Sequence, residues 1–274
     1  MNKYIVDFMK ERMPGISFPL ADFLDRQKFN RTKKEYDDSK INWIKNCAKK
    51  KRCFIVATGP SLTIDDVNAL AKEDTFGVNS ICKLFDRTSW RPTFYCLSDK
   101  MVYQSLKNDL EKWQPSNIFY SKKEFECTLK HAIPVLCRAA YPLYQHSKLK
   151  TEKILFSDDA TKCVYTCATV VFFTLQLAVT MGYKQIYLLG TDCNYTGSQL
   201  HSSLTAYNAS VNPDVGLSMF RPYEEAKRYA DKHGIEIYNA SRGGLLKFFH
   251  VLYLIKFWRI NNESCVFYSY QNKF

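Results

Sequence analysis

The stretch FIVATGPSL, residues 54–62, gives the strongest indication of the fold. Its first half is the apolar run of a buried strand, and the run stops abruptly at Thr58-Gly59-Pro60-Ser61, which we call the TGPS turn. Gly59 lets the backbone approach a ligand without a Cβ in the way. Pro60 fixes φ and removes a backbone donor, so the turn is predicted to be stiff.

A helix is predicted to start directly after the TGPS turn. Ser61 or Thr63 can cap this helix, and the free amides of its first turn suit a phosphate or a ribose. The stretch contains neither the GxxxxGKS/T pattern nor the GxGxxG pattern. A P-loop and a dinucleotide-binding oxidoreductase are therefore both disfavoured.

Strand-like and helix-like segments alternate along the rest of the chain. Strands are predicted at residues 53–57, 75–79, 93–97, 117–121, 133–137, 185–189 and 235–239. Helices are predicted at residues 64–73, 103–113, 164–181 and 222–234, and Gly182 is the expected C-cap of the third. This alternation predicts an α/β fold, a doubly wound and mainly parallel Rossmann-like sheet with helical N- and C-terminal extensions.

The composition bounds the class of protein. The chain has 274 residues, 46% of them hydrophobic, and a formal net charge of +12. The hydrophobic fraction is typical of a globular protein. The positive charge favours an acidic partner: nucleic acid, anionic lipid or a phosphorylated small molecule. A nucleic-acid binder is disfavoured, because the cations cluster near the N-terminus and no recognition motif is present. With no apolar window of about 18 residues and no signal peptide, a cytoplasmic protein with reduced cysteines is expected, without a membrane span.

Polar residues follow five of the predicted strands. In chain order these residues are the TGPS turn, then Asn79 and Ser80, then Ser98 and Asp99, then Thr191, Asp192, Cys193, Asn194 and Tyr195, and finally Asn239, Ser241 and Arg242. In an open α/β sheet, ligands bind outside the carboxyl ends of the strands. The five strand ends together predict one polar binding crevice.

Candidate catalytic groups lie near the fourth of these strand ends. His201 falls in the long polar stretch after Asp192 and is a candidate general base. Asp192 could be a base, a metal ligand or a ribose clamp, and Asp99 is a similar candidate; either could instead be a turn former or a helix cap. Arg242 is a candidate contact for a phosphate or a sugar carboxylate, because its planar fork suits both.

Four segments together resemble a known group of proteins. They are FIVATGPSL, VNS, ATVVFFTLQLAVTMGYKQIYLLGTDCNY and YEEAKRYADKHGIEIYNASRGG, and they run from about Cys53 to Gly244. They resemble the MptE-like superfamily of Rossmann-type proteins from glycan gene clusters, which takes in the motility accessory factors and an archaeal pterin pyrophosphokinase. The same skeleton resembles the bacterial lipooligosaccharide sialyltransferases.

The resemblance implies a variant GT-A-like enzyme that transfers a sugar from a CMP-activated donor, with inversion and without a metal or other cofactor. The nucleotide would lie on Gly59, Pro60, Ser61 and Asn79, and Thr169 matches a donor-contacting position. The family's base histidine has no counterpart around residues 217–220, so His201 or Asp192 would serve instead. Cys167 and Ala168 replace a Gly-Gly pair of many relatives.

The expected function is a glycosyltransferase that moves a sugar, of the nonulosonic or sialic type, onto a surface glycan or glycoconjugate. The alternative is an ATP-dependent pyrophosphokinase of the pterin type, with Mg²⁺ on Asp99 or Asp192.

With this function, the sequence predicts three regions along the chain. Residues 1–50 form a helical, basic extension; residues 51–244 form the catalytic domain that binds the nucleotide sugar, with a lid loop at 193–218; and residues 245–274 form an apolar C-terminal helix and tail. The basic stretch 45–52 is a solvated helix end or a peripheral contact with an anionic membrane at its inner face. The apolar segment Leu245–Trp258 is a helix that packs in the core or in a homo-oligomer, or a contact with a membrane or partner.

Overall fold

Nine strands form the central sheet in the computed structural model, which describes residues 14–140, 154–193, 215–242, 245–255 and 266–269. In chain order they are β1 (Arg52–Val56), β2 (Thr75–Val78), β3 (Phe94–Leu97), β4 (Ile118–Ser121), β5 (Ala132–Val135), β8 (Gln185–Leu189), β9 (Glu236–Asn239), β10 (His250–Ile255) and β11 (Val266–Ser269). Two short strands, β6 (Cys137–Ala139) and β7 (Val164–Thr166), pair in parallel in a separate sheet.

The strand order of the main sheet is β11-β10-β9-β8-β1-β2-β3-β4-β5. All neighbours are parallel except β10 and β11, which are antiparallel. From β1 the chain winds outward through β2 to β5, then returns to place β8 on the other side of β1. The expected doubly wound α/β fold is confirmed, and its topological switch point lies between β1 and β8.

Five helices cover the sheet within the described residues. They are α1 (Pro14–Lys34), α2 (Ile64–Ala69), α3 (Lys100–Trp113), α4 (Val170–Met181) and α5 (Val215–Lys232). The apolar run of β1 is buried on both faces: Ile55 packs with α4 and α5, and Phe54 packs with α2 and α3. A strand buried on both faces reads as a continuous apolar run, which is why residues 53–56 show no alternation.

Helix α4 is buried on nearly every side, and its polar residues hold the segment before it. The Gln176 side chain accepts hydrogen bonds from the amides of Ser157 and Tyr165, at 3.0 Å each, and donates to the Tyr165 carbonyl. Gly182 ends the helix in the left-handed conformation at φ 97°, as expected. A buried amide with all its bonds made is compatible with an otherwise apolar helix.

The N-terminal extension is helical, as expected, and two residues that follow its helix belong to the core. Ile41 and Ile44, in two short 3-10 turns after α1, are fully buried. The amides of Asn46 and Ala48 donate to the last carbonyls of α4, those of Thr180 and Met181. These bonds satisfy carbonyls that a helix end leaves without partners.

Two helical expectations are wrong. Residues 164–166 begin the predicted third helix but form β7, because Val-Tyr-Thr is β-branched and aromatic and finds a partner in β6. The predicted C-terminal helix within Leu245–Trp258 is instead strand β10, which pairs with β9 and β11. Its sequence HVLYLI is rich in β-branched and aromatic residues, and the open sheet edge at β9 gives it hydrogen-bond partners. Within the described residues, no helix combines the length and the apolar character that crossing a bilayer requires.

Candidate active site at the strand ends

The tips of β1 and β8 approach each other at the switch point without side chains between them. A Cβ on Gly59 would lie 2.4 Å from the Gly190 carbonyl oxygen and 2.5 Å from Asp192 Oδ2. A Cβ on Gly190, whose φ is +62°, would lie 2.6 Å from the Ala57 carbonyl oxygen. The Gly59 amide donates to the Gly190 carbonyl at 2.8 Å. The absence of a Cβ at both positions is therefore what lets the two tips meet.

Asp192 joins the tip of β8 to the TGPS turn. Its Oδ2 accepts from the Ser61 amide at 2.8 Å, and its Oδ1 accepts from the Ser61 hydroxyl. The Asp192 carbonyl also accepts from the Leu245 amide at 2.9 Å, and the residue is only 7% exposed. Both carboxylate oxygens are thus engaged in holding the turn, so the geometry favours a positioning role for Asp192 over that of a base.

The backbone amides of the TGPS turn already have partners inside the protein. Gly59 donates to Gly190, Leu62 donates to the Gly59 carbonyl, and Thr63 donates to Asp66 Oδ2 at 2.9 Å. Ser61 donates to Asp192, and Pro60 has no amide hydrogen. The amides ahead of α2 are therefore occupied by groups of the protein, and within the first turn of α2 the Asp66 amide donates to Thr63 Oγ1 at 3.2 Å. Thr63, rather than Ser61, is the N-cap of α2.

Arg242 closes the other side of the turn. Its guanidinium donates through Nη1 and Nη2 to the two carboxylate oxygens of Asp66, and Nη1 also reaches the Ser61 carbonyl at 3.2 Å. The Asp66 side chain is 5% exposed and the Arg242 side chain 43% exposed. The fork–fork geometry fixes the loop after β9 against the start of α2, so this guanidinium is occupied by a carboxylate of the protein.

Arg242→Gln is expected to lower the free energy of unfolding by about 1–2 kcal/mol. This is below the loss of about 3–5 kcal/mol for a fully buried pair, because the arginine is partly exposed. Denaturant unfolding of Arg242→Gln, Asp66→Asn and the double variant checks this, and the cycle should give a coupling of about 1 kcal/mol. The pair Lys112–Asp86, whose side chains are 56% and 62% exposed, is the exposed control. Equal coupling in the two pairs would contradict a specific role for Arg242.

Hydroxyl and amide groups connect the tips of β8 and β9. The Ser241 hydroxyl accepts from the Thr191 amide at 2.9 Å and lies 3.0 Å from the Thr191 hydroxyl. Asn239 Oδ1 accepts from the Ser241 amide at 3.0 Å. All three residues are buried. They connect the tips of β8 and β9 rigidly, and their hydrogen bonds are made within the protein.

At the tip of β2 the buried Ser80 hydroxyl departs from this pattern of satisfied polar groups, and so does Asn79 beside it. Its side-chain Oδ1 is buried without a hydrogen-bond partner, and its backbone is left-handed at φ 48°. The Tyr95 hydroxyl donates to its carbonyl and holds it in place. The pairing of Val56 with Gly77 and Leu189, continued by two residues, places Asn79 and Thr191 level with Thr58. A buried acceptor without a partner at a strand tip is suited to a ligand donor.

Thr169 lies at the head of α4, where the resemblance expects a donor contact. It is the N-cap of the helix, and its hydroxyl accepts from the Val171 amide at 3.2 Å. The Tyr223 hydroxyl lies 3.5 Å from Thr169 Oγ1 and also hydrogen-bonds the Cys193 thiol. This chain of contacts links the start of α4 to the tip of β8. Burial raises the pKa of the Cys193 thiol to about 12, so it is not a thiolate nucleophile at neutral pH.

The remaining predicted residues divide into two groups. Asp99 is the N-cap of α3, where Oδ1 accepts from the Met101 amide at 2.6 Å and the Val102 amide at 3.1 Å, and Ser98 before it is half-buried. Asp99 is therefore a helix cap, which was one of the roles that the sequence left open for it. Asn194, Tyr195 and His201 lie outside the described residues, as do residues 194–214 of the lid loop predicted at 193–218. The end of that predicted loop is instead the start of α5, which begins at Val215. Among the described residues, no group of three or more His, Cys, Asp or Glu side chains is arranged to hold a metal ion.

Sequence reasoning missed Asp66, Tyr223 and Gly190. Asp66 had a signal, because Thr63 and Asp66 have the spacing of a capping box and make both of its bonds. Gly190 was passed over as part of an apolar strand. Tyr223 gave no signal, since it lies in a helix and reaches Thr169 only across the fold.

The match to known families is extensive. A model of the family described as 6-hydroxymethylpterin diphosphokinase MptE-like matches residues 26–198, which is more than half of the chain. No curated protein gives a significant match. The matched range contains the TGPS turn, Asn79, Thr169 and Asp192.

Solved structures share the fold. The MAf glycosyltransferase from Magnetospirillum magneticum AMB-1 has a TM-score of 0.51 and 16% identity, covering 76% of this chain and 34% of its own. This chain thus spans about a third of that protein. The sialyltransferase CstII from Campylobacter jejuni, in complex with cytidine-5'-monophosphate, has a TM-score of 0.41 and 18% identity, covering 81% of this chain and 92% of its own. Over the matched region, this chain therefore has the fold of the MAf structure.

Proposed function

The chain belongs to the MptE-like family, and on that premise we propose that it is a glycosyltransferase that uses a nucleotide-activated sugar. The single observation that carries this proposal is that Asn79, at the same edge of the sheet as the TGPS turn, presents a buried acceptor without a hydrogen-bond partner. Ligands of doubly wound sheets bind at the switch point. The shared fold with the MAf glycosyltransferase supports the transfer of a sugar over other uses of a nucleotide.

The donor would lie across the tips of β2, β1 and β8. Because Gly59 lacks a Cβ, the tips of β1 and β8 meet closely, which would bring the donor contacts on the two strands together. Asn79 Oδ1 would accept from an amino or hydroxyl group of the nucleoside. The N-terminus of α4 behind Thr169 would face the phosphate, because the amides and the dipole of a helix start favour negative charge. Asn194, Tyr195 and Ser98 remain proposed contacts on the same edge.

The chemistry would be direct displacement at the anomeric carbon. The acceptor hydroxyl attacks that carbon, the bond to the nucleotide phosphate breaks, and a general base takes the hydroxyl proton. We assign the base to His201, since both oxygens of Asp192 are bonded to Ser61. Asp192 then acts through the TGPS turn, and Arg242 acts through Asp66 on the same turn.

A CMP-activated nonulosonic or sialic-type donor is the finer proposal, and it rests on the resemblance in the residues of the strand tips. The acceptor would be a surface glycan or glycoconjugate. A thermal-shift panel of CMP, CDP, UDP, GDP and ATP, each with and without Mg²⁺, tests this. The expected result is that CMP raises the melting temperature most, and equally with and without Mg²⁺. If none of CMP, CDP, UDP and GDP raises it, a transferase that uses a nucleotide-activated sugar is contradicted.

The pyrophosphokinase alternative is favoured by one specific observation, the description of the matching family as a diphosphokinase. It would require ATP and Mg²⁺, held by Asp192 or Asp99. Stabilisation by ATP that disappears in EDTA would favour it over the transferase. Release of AMP from ATP in the presence of a hydroxymethylpterin would establish it.

Asn79→Gly is expected to weaken CMP binding at least tenfold while leaving the free energy of unfolding within about 1 kcal/mol of the parent or above it. Glycine accepts the left-handed backbone at φ 48° without strain, and the unpartnered buried oxygen disappears. Isothermal titration and denaturant unfolding measure the two quantities. Equal CMP affinity in the variant would remove Asn79 from the donor site.

A further inference from the structure

The orientation of α1 on the domain is fixed by one stripe of residues. Asp25 accepts from the Lys123 ammonium and from the Ala139 amide at 3.3 Å, and its side chain is 9% exposed. The Arg138 guanidinium lies over the Phe29 ring, 5.6 Å from the centroid. Just past the helix, the Tyr36 hydroxyl donates to the Pro134 carbonyl at 3.0 Å. Residues 25, 29, 32 and 36 follow helical spacing, so this stripe faces the domain.

The opposite side of α1 faces solvent and combines apolar and basic side chains. Phe23 is 54% exposed and Leu24 is 48% exposed. They are followed along the exposed side by Lys28, Arg31 and Lys34, none of which forms an ion pair with a described residue. The one carboxylate between residues 23 and 34, Asp25, points inward. We call Phe23, Leu24, Lys28, Arg31 and Lys34 the α1 patch.

The basic stretch that the sequence singled out for membrane contact is largely paired. Lys45 forms an ion pair with Asp159 at 3.0 Å, Lys50 with Asp74 at 3.2 Å, and Arg52 with Glu73. These partners offset its charge, and none of the large exposed apolar side chains lies in residues 45–52. The α1 patch combines exposed apolar groups with cations that have no ion-pair partner among the described residues.

We propose that the α1 patch is a docking surface for an anionic lipid bilayer, with Phe23 and Leu24 at the acyl boundary and the three cations at the lipid phosphates. Apolar burial and attraction to anionic lipid add together, so two exposed apolar side chains next to three cations suit an anionic interface. A nucleic acid would use the cations and leave the two apolar side chains without a role. The proposal is independent of the sugar-transfer function.

Flotation of the full chain with vesicles tests this. Binding is expected to vesicles of phosphatidylcholine with phosphatidylserine, and not to phosphatidylcholine alone. The triple change Lys28→Glu, Arg31→Glu, Lys34→Glu is expected to lower the partition coefficient by about a hundredfold. Phe23→Ser with Leu24→Ser is expected to lower it about tenfold at unchanged charge.

Two matched variants separate the patch from bulk properties. Lys49→Glu, Lys72→Glu, Lys184→Glu changes the net charge by the same amount at exposed sites on the amino-terminal edge of the sheet. Met101→Ser removes another exposed apolar side chain, 72% exposed. Both are expected to bind vesicles like the parent. The proposal is overturned if the parent ignores anionic vesicles, if the Phe23/Leu24 variant binds as well as the parent, or if the control reversal weakens binding equally. Melting temperatures of all variants report whether each is folded.

Discussion

Gly59→Ala is expected to abolish the response to nucleotide and to lower turnover by about a hundredfold, because a shift of about 1 Å in a positioning element is enough for such a loss. The added Cβ would meet the Gly190 carbonyl at 2.4 Å and the Asp192 carboxylate at 2.5 Å, so the tips of β1 and β8 must separate. Stability should fall by about 1–3 kcal/mol, as for an overpacked core. Thermal shift with and without nucleotide measures the nucleotide response and the loss of stability.

Gly234→Ala is the matched control for this change. Gly234 has a φ of +63° but nothing within 4 Å of its Cβ position. Alanine there should cost about 1–2 kcal/mol of backbone strain and leave the nucleotide response intact. If Gly59→Ala keeps the parent's melting temperature and nucleotide response, the close approach at the switch point has no role.

Asp192→Ala is expected to lose about 2–3 kcal/mol of stability and about a hundredfold in turnover, because it leaves the Ser61 amide and hydroxyl without their acceptor. Asp192→Asn should retain turnover within about tenfold, since its carbonyl can accept from the Ser61 amide and its amide can donate to the Ser61 hydroxyl. Unfolding and initial-rate measurements on the two variants distinguish the roles. An Asp192→Asn variant that binds nucleotide normally but has no turnover would make Asp192 the base.

The pattern of the strands predicted much of the fold and the edge of the sheet at which the polar strand ends gather. Strands buried on both faces are short apolar runs, and polar residues at their ends mark one edge, which is why the crevice could be inferred from Thr58, Asn79 and Asp192. The predicted secondary structure was wrong where the local sequence pattern is ambiguous. The segments at residues 164–166 and 250–255 became strands because partner strands were available, and a partner is not encoded locally.

The contacts within the site could not be predicted from local sequence. Ser61 and Asp192 are 131 residues apart, and Asp66 and Arg242 are 176 residues apart. Each predicted ligand-binding group on these residues is taken by another group of the protein. The reverse holds for Asn79, whose unpartnered oxygen became visible only once its surroundings were known.

The central claim is that a nucleotide binds at the switch point between β1 and β8. Amide hydrogen exchange of the parent chain, with and without saturating CMP, tests it most directly. Slower exchange is expected at residues 57–63, 77–81 and 189–193, the tips of β1, β2 and β8. The opposite, amino-terminal edge of the sheet carries a separate cavity lined by Glu111, Ile118, Lys130 and His131, which should be unaffected. Protection confined to that cavity, or absent from all three tips, would contradict the claim.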